Sequence, residues 1–99
     1  MENPLNYKIL QNSPNFKKPK LELEQYITPV DITLEIIKQA NSLGHLSGNV
    51  ADFGCGTGRL AIGAAMLGAK VTGYEIDDDA LMLAIDYSKK NDLDIKWVS

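Results

Sequence analysis

The sequence predicts an α/β fold that forms the first half of a doubly wound parallel sheet. A short apolar run, residues 50–53, leads into the alternating glycines of Asp52-Phe-Gly-Cys-Gly-Thr-Gly58, and an Ala/Leu-rich helical segment follows. Two further strand patterns then come with a helical stretch between them. Strand, glycine-rich loop and helix in this order build nucleotide-shaped sites in α/β proteins.

Composition limits the class of protein. The 99 residues make at most one domain, and 44% hydrophobic with 23% charged residues is typical of a soluble globular protein. A net charge of −3 argues against electrostatic nucleic-acid binding by the whole chain, although a local basic patch could still contact RNA or DNA. The single cysteine, the lack of an apolar run of membrane-spanning length and the lack of a signal-peptide pattern predict a cytoplasmic protein.

Residues 1–20 are predicted to form an N-terminal arm, and residues 21–99 the cofactor-binding part of the domain. Three prolines interrupt the arm, and residues 7–10 are long enough for one helical turn. Lysines at positions 17, 18 and 20 flank Phe16, a combination that can grip a phosphate backbone and a base. A solvated tether is the favoured interpretation of this segment.

A helix is predicted from Pro29 to Leu43, with Thr28 as its N-cap and Pro29 at its first position. Its inward face is predicted to carry Ile32, Ile36, Ala40 and Leu43, and Gly44 is expected to end it. The only histidine, His45, follows in a turn with no chemical partner near it in sequence.

The glycine loop leads into a predicted helix from Arg59 that Gly68 ends, and a second strand follows at residues 70–76. Glu75 lies at the tip of this strand, where an acid in doubly wound folds accepts hydrogen bonds from both ribose hydroxyls. Ile76 would offer an apolar surface to an adenine ring. Cys55, between two glycines, is interpreted as a small residue in a crowded turn and not as a nucleophile.

Asp77 to Asp79 are predicted to cap a second helix rather than to bind a metal. That helix should run to Lys90, end at Asn91, and face inward with Leu81, Ala84, Ile85 and Ser88. Residues 95–98 form the third predicted strand. Right-handed crossovers give the sheet order 3-2-1, an incomplete sheet with its ligand at the carboxyl ends of the strands.

Arg59 occupies the position of the third glycine of the dinucleotide fingerprint, which disfavours a nicotinamide-dependent dehydrogenase. The spacing from Asp52 to Gly58 instead resembles the first motif of S-adenosylmethionine-dependent methyltransferases. Four stretches, residues 16–28, 51–58, 60–68 and 73–81, together resemble the methyltransferase-like N6-adenine-specific RNA methyltransferases of eukaryotes and archaea. The resemblance covers nearly all of residues 16–99 and implies a Rossmann-like class I methyltransferase fold.

The resemblance also implies a cofactor, S-adenosylmethionine, and the residues that hold it. Gln25 and Thr28 would close over its methionine end with Tyr26 beside them, and Thr57 and Arg59 would line its edge. Glu75 stands where the family more often has Asp, and the longer side chain keeps the ribose contact. The full predicted set is Gln25, Tyr26, Thr28, Asp52, Gly54, Gly56, Thr57, Arg59, Glu75 and Ile76.

The family's catalytic Asn-Pro-Pro-Phe motif does not occur in these 99 residues, so no catalytic residue is assigned. We therefore expect the N-terminal, cofactor-binding part of an enzyme that methylates adenine N6 in small-subunit rRNA, inactive alone. A protein or small-molecule methyltransferase and a non-catalytic binding or interaction module are the alternatives. The resemblance further implies a small zinc-binding partner protein, and an unpaired first strand predicts self-association.

Overall fold

The computed structural model describes residues 6–15 and 28–99. In chain order the elements are α1 (Tyr7–Gln11), α2 (Val30–Ser42), β1 (Asn49–Phe53), α3 (Arg59–Met66), β2 (Lys70–Tyr74), α4 (Asp78–Lys90) and β3 (Ile95–Val98). The three strands are parallel and ordered β1-β2-β3, which confirms the predicted half sheet. None of the helices in the described ranges is long and apolar enough to cross a lipid bilayer.

The core lies on one face of the sheet. Val50, Val71 and Ile95 are register neighbours across the three strands, and they join a cluster that includes the fully buried Ile62 of α3. Both crossover helices follow right-handed connections, which place α3 and α4 on the same side. Two positions further along the strands, the same face presents Asp52, and this brings the glycine loop to the edge of the core.

The predicted inward face of α2 is wrong in three of its four residues. Ile32, Ile36 and Leu43 are exposed by 51%, 45% and 68%, whereas Ile37 is buried and Ala40 is partly buried. The helix therefore turns a neighbouring stripe inward, which consists of Val30, Thr33, Leu34, Ile37 and Ala40. The helix carries apolar residues on two adjacent stripes, and only packing against its neighbours decides between them.

Small residues on α3 select that stripe. Gly63 has no side chain, and a Cβ built there would lie 3.1 Å from Cγ1 of Ile37. The same Cβ would lie 3.7 Å from Cδ2 of Leu10, a residue of α1 that is completely buried. Gly63 thus lets α1 and α2 approach α3 closely, and Leu10 anchors α1 to the core.

The start of α2 also differs from the prediction. Pro29 is the N-cap residue, with extended ψ of 150°, and the helix begins at Val30. Thr28 is not the cap, because its carbonyl lies outside the helix and accepts a hydrogen bond from Arg59 Nη1. No side chain caps this terminus, and Thr33 Oγ1 donates to the carbonyl of Pro29 at 3.0 Å.

The ends of the later elements follow the predicted signals. Gly44 and Gly68 adopt positive φ after α2 and α3, and Asn91 is the C-cap of α4. Asp77 caps α4 by accepting a hydrogen bond from the Asp79 N–H at 3.1 Å. The second strand ends at Tyr74, two residues before the predicted end, although Glu75 N–H still donates to the carbonyl of Val98 at 3.0 Å.

The opposite face of the sheet carries an aromatic pair. Phe53 and Tyr74 are register partners whose rings stack at 4.8 Å between centroids. Phe53 remains 77% exposed, so the described residues cover little of this face at the strand ends. Within the described sheet β1 pairs only with β2, and self-association through its free edge stays a prediction.

A methyl group at Gly73 is expected to destabilise the fold. Its Cβ would lie 2.6 Å from the indole ring of Trp97, which cannot shift freely because its Nε1 donates to Ser88 Oγ at 3.1 Å. We expect Gly73→Ala to lower the free energy of unfolding by about 1–3 kcal/mol. Urea denaturation measures this change. Gly48→Ala is the control because nothing lies within 4 Å of a Cβ there, and equal stability of the two variants would contradict the packing argument.

Candidate functional site

The glycine loop is a tight turn fixed against the end of β2. Gly54, Gly56 and Gly58 have φ of 69°, 57° and 90°, values that a residue with a Cβ rarely adopts. The N–H groups of Gly54 and Cys55 both donate to the carbonyl of Tyr74, at 2.8 and 3.0 Å. The loop therefore begins where β1 and β2 end side by side, at the edge where parallel sheets bind ligands.

Glu75 connects this loop to the start of α4. Its Oε1 accepts a hydrogen bond from the N–H of Gly56 at 2.7 Å, and its Oε2 accepts one from the N–H of Asp77 at 3.0 Å. Backbone N–H groups that converge on a carboxylate form strong, charge-assisted bonds. The structure thus brings together two sites that the sequence predicted separately, the glycine loop and the acid after β2.

Asp52 is an electrostatically unfavourable residue. Its Oδ2 is buried and has no hydrogen-bond partner among the described residues. Burial, and secondly the charge of Glu75, raises the pKa of Asp52 from 3.8 to about 6. An orphaned carboxylate oxygen beside a second carboxylate suits a ligand that brings positive charge.

Cys55 does not have the environment of a nucleophile. Burial, followed by the charges of Asp52 and Glu75, raises the pKa of its thiol to about 12. A thiol with that pKa is protonated at neutral pH, and the thiolate is the reactive species. The geometry therefore agrees with a space-filling role, since a Cβ at Gly73 would lie 3.1 Å from the sulfur.

Thr57 and Arg59 make hydrogen bonds to the N-terminal segment. Thr57 is 2% exposed and its Oγ1 donates to the carbonyl of Pro14 at 2.6 Å. Arg59 donates from Nε to Ser13 Oγ at 2.8 Å, from Nη2 to Ser13 O at 3.3 Å and from Nη1 to Thr28 O at 3.0 Å. Their predicted place along a cofactor edge stays a prediction. Sequence reasoning missed Ser13, whose only signal is a turn-forming Ser-Pro pair.

The remaining predicted residues either lie next to the glycine loop and β2 or fall outside the described residues. Ile76 is 76% exposed just beyond the end of β2, and Thr28 contributes its carbonyl to Arg59. Gln25, Tyr26 and the basic segment with Phe16 lie outside the described residues. In the ranges 6–15 and 28–99, no group of three or more His, Cys, Asp or Glu side chains is arranged to hold a metal ion.

The fold and the site together define a class I methyltransferase core: a parallel β1-β2-β3 sheet, a glycine loop after β1 and an acid after β2. A family model described as Ribosomal protein L11 methyltransferase (PrmA) matches residues 29–98. The chain belongs to this methyltransferase family. Its alignments with three rRNA N(6)-adenosine-methyltransferases, each over 73% or more of the chain, show that it belongs to the METTL5-like rRNA methyltransferases.

Two curated proteins and one solved structure illustrate the similarity. An uncharacterised protein of Methanocaldococcus jannaschii is 39% identical over 89 residues, 89% of this chain and 39% of that protein. The rRNA N(6)-adenosine-methyltransferase Mettl5 of Drosophila melanogaster is 41% identical over 75 residues, 73% of this chain and 35% of that protein. A crystal structure of a candidate RNA methyltransferase from Pyrococcus horikoshii superposes with a TM-score of 0.85 and 38% identity, covering 93% of this chain and 47% of that one. The chain thus spans less than half the length of each.

The charge on Asp52 is expected to cost stability at neutral pH. Because its pKa is raised on folding, the native state binds more protons than the unfolded state between pH 3.8 and about 6, and stability rises as pH falls through that window. Between pH 7 and pH 4 the wild type should gain on the order of 2 kcal/mol relative to Asp52→Asn, whose amide does not titrate.

Urea unfolding of both proteins at several pH values measures this difference, and the shared background of other carboxylates cancels. A wild type that loses stability relative to Asp52→Asn as pH falls would show that Asp52 is instead stabilised as the anion.

Proposed function

We propose that these residues form the S-adenosylmethionine-binding part of an rRNA adenine-N6 methyltransferase. The observation that supports the proposal is the hydrogen bond from the Gly56 N–H to the Glu75 carboxylate, because a ribose acceptor must lie beside the glycine loop. A carboxylate at this point accepts two hydrogen bonds from a vicinal diol and repels a 2′-phosphate.

The residues around the loop fit the charge and shape of this cofactor. S-adenosylmethionine supplies an activated methyl group on a sulfonium and also carries an α-ammonium, so its positive charge complements Asp52 and Glu75. The buried Oδ2 of Asp52, which has no hydrogen-bond partner among the described residues, suits a cationic donor. Nothing lies within 4 Å of a Cβ built at Gly54, which leaves room for close approach of the ligand, and the exposed Ile76 offers an apolar contact to adenine.

The substrate proposal rests on the named relatives. Proteins of Drosophila melanogaster and Danio rerio that share 41% and 43% identity over 75 residues carry the name rRNA N(6)-adenosine-methyltransferase. By this likeness we assign a cytoplasmic enzyme that takes rRNA as substrate, and we extend to it the small zinc-binding activating partner implied by the family resemblance.

A protein methyltransferase is the second candidate. The family model that matches residues 29–98 is named Ribosomal protein L11 methyltransferase (PrmA), and its match includes both the glycine loop and Glu75. The same glycine loop and acid serve either substrate, because they hold the cofactor and not the methyl acceptor.

The two candidates differ in which molecule loses methylation in cells without the protein. Mass spectrometry of oligonucleotide fragments of small-subunit rRNA should show loss of N6-methyladenosine at one position, restored when the gene is returned. Unchanged rRNA together with loss of methyl groups from a ribosomal protein would contradict the rRNA proposal and support the alternative.

Cofactor choice can be measured without the methyl acceptor. The protein should bind S-adenosylmethionine more tightly than NAD by calorimetry, and Glu75→Gln should weaken S-adenosylmethionine binding by about tenfold, the value of one charge-assisted hydrogen bond. Glu35→Gln makes the same change at an exposed position of α2 and should bind as the wild type does. Tighter binding of NAD would contradict the cofactor assignment, and equal binding by both Gln variants would exclude this role for Glu75.

A further inference from the structure

The N-terminal segment, residues 6–15, contacts the domain at two places: through α1, and through Ser13 and Pro14. In α1, Leu10 is fully buried against α2 and α3. The hydroxyl of Tyr87 on α4 donates to the carbonyl of Ile9 at 2.7 Å. Asn6 caps α1 by accepting a hydrogen bond from the N–H of Lys8 at 2.9 Å. Side-chain contacts from three helices therefore position this short segment, although it precedes every strand in the chain.

At its other end the segment contacts the glycine loop itself. Thr57 lies inside the loop and binds the carbonyl of Pro14, while Arg59, the first residue of α3, binds both the hydroxyl and the carbonyl of Ser13. Ser13 is 6% exposed, and its hydroxyl in turn donates to the carbonyl of Leu10. A continuous chain of contacts thus leads from the core through Leu10 and Ser13 to the loop.

Arg59 also binds the backbone at Thr28, just before α2. Its Nη1 donates to the carbonyl of Thr28, so one guanidinium holds residues 13 and 28 together at the start of α3. The planar guanidinium offers several donors in fixed directions, which lets it set the relative position of its partners as well as bind them. Burial lowers the pKa of Arg59, and the nearby Tyr87 hydroxyl opposes that shift.

We propose that residues 6–15 are a positioning element of the cofactor site: Ser13 and Pro14 hold Thr57 and Arg59, and thereby the second half of the glycine loop, in the conformation that binds cofactor. This inference rests on the proposed function. It assigns Ser13 and Tyr87, which are not in the loop, a measurable effect on cofactor affinity.

Thermodynamic linkage separates this role from a purely structural one. If docking of the segment favours the binding conformation of the loop, cofactor must favour docking of the segment by the same factor. A contact that only stabilises the fold lowers the unfolding temperature but leaves affinity unchanged in the folded protein. Affinity and amide exchange, both measured well below the unfolding temperature, therefore report on the coupling.

The test uses two variants and two matched controls. Ser13→Ala and Tyr87→Phe each should weaken binding of S-adenosylhomocysteine about fivefold by calorimetry, the lower end of typical coupling between sites. Ser47→Ala is the control for the first, because Ser47 also donates to a carbonyl three residues earlier, at 2.9 Å, but lies in an exposed turn. Tyr7→Phe is the control for the second: it removes a hydroxyl within the same segment, but from a ring that is 49% exposed and that makes none of the contacts named above. Both controls should bind as the wild type does.

Hydrogen exchange supplies the reciprocal measurement. S-adenosylhomocysteine should slow exchange of the Leu10 and Asn12 amides, which bond to Asn6 O and Lys8 O, by about fivefold in the wild type and less in Ser13→Ala. Wild-type affinity in both variants, or an amide exchange rate in α1 that is the same with and without S-adenosylhomocysteine, would overturn the positioning role while the cofactor proposal stands. A wild type that binds no S-adenosylhomocysteine would overturn both.

Discussion

The site depends on one carboxylate that bonds to two backbone N–H groups. Glu75 accepts from Gly56 at 2.7 Å and from Asp77 at 3.0 Å, and its own N–H donates to the end of β3. One residue thereby fixes the glycine loop, the tip of β2 and the start of α4 relative to each other. The loop cannot easily move away from the acid, so the two features that we propose as the nucleoside site are arranged before any ligand binds.

This arrangement has an electrostatic cost. Burial, and secondly the charge of Glu75, raises the pKa of Asp52, and one of its oxygens is buried with no partner among the described residues. Burial, followed by the charges of the same two carboxylates, raises the pKa of the Cys55 thiol. Unfavourable charge in a folded site is typical of places where function and not stability selects the residues. A cationic cofactor would relieve the repulsion, and the free energy gained would contribute to its binding.

Local patterns predicted the central part of the fold, and tertiary contacts decided the rest. The glycine loop, the caps at Asp77 and Asn91, and the strand at residues 95–98 follow from neighbours in sequence, and the structure has them as predicted. The inward face of α2 was wrong because two apolar stripes lie side by side on that helix, and Gly63 of α3 selects between them. The role of Ser13 was invisible because its partner, Arg59, lies 46 residues away.

The central claim is that the glycine loop and Glu75 form one ligand site. Nuclear magnetic resonance of the 15N-labelled protein, titrated with S-adenosylhomocysteine, tests it residue by residue. The account predicts saturable shifts at the amides of Gly54, Gly56, Glu75 and Asp77. Shifts confined to the opposite sheet face around Phe53 and Tyr74, with the loop amides unchanged, would contradict it.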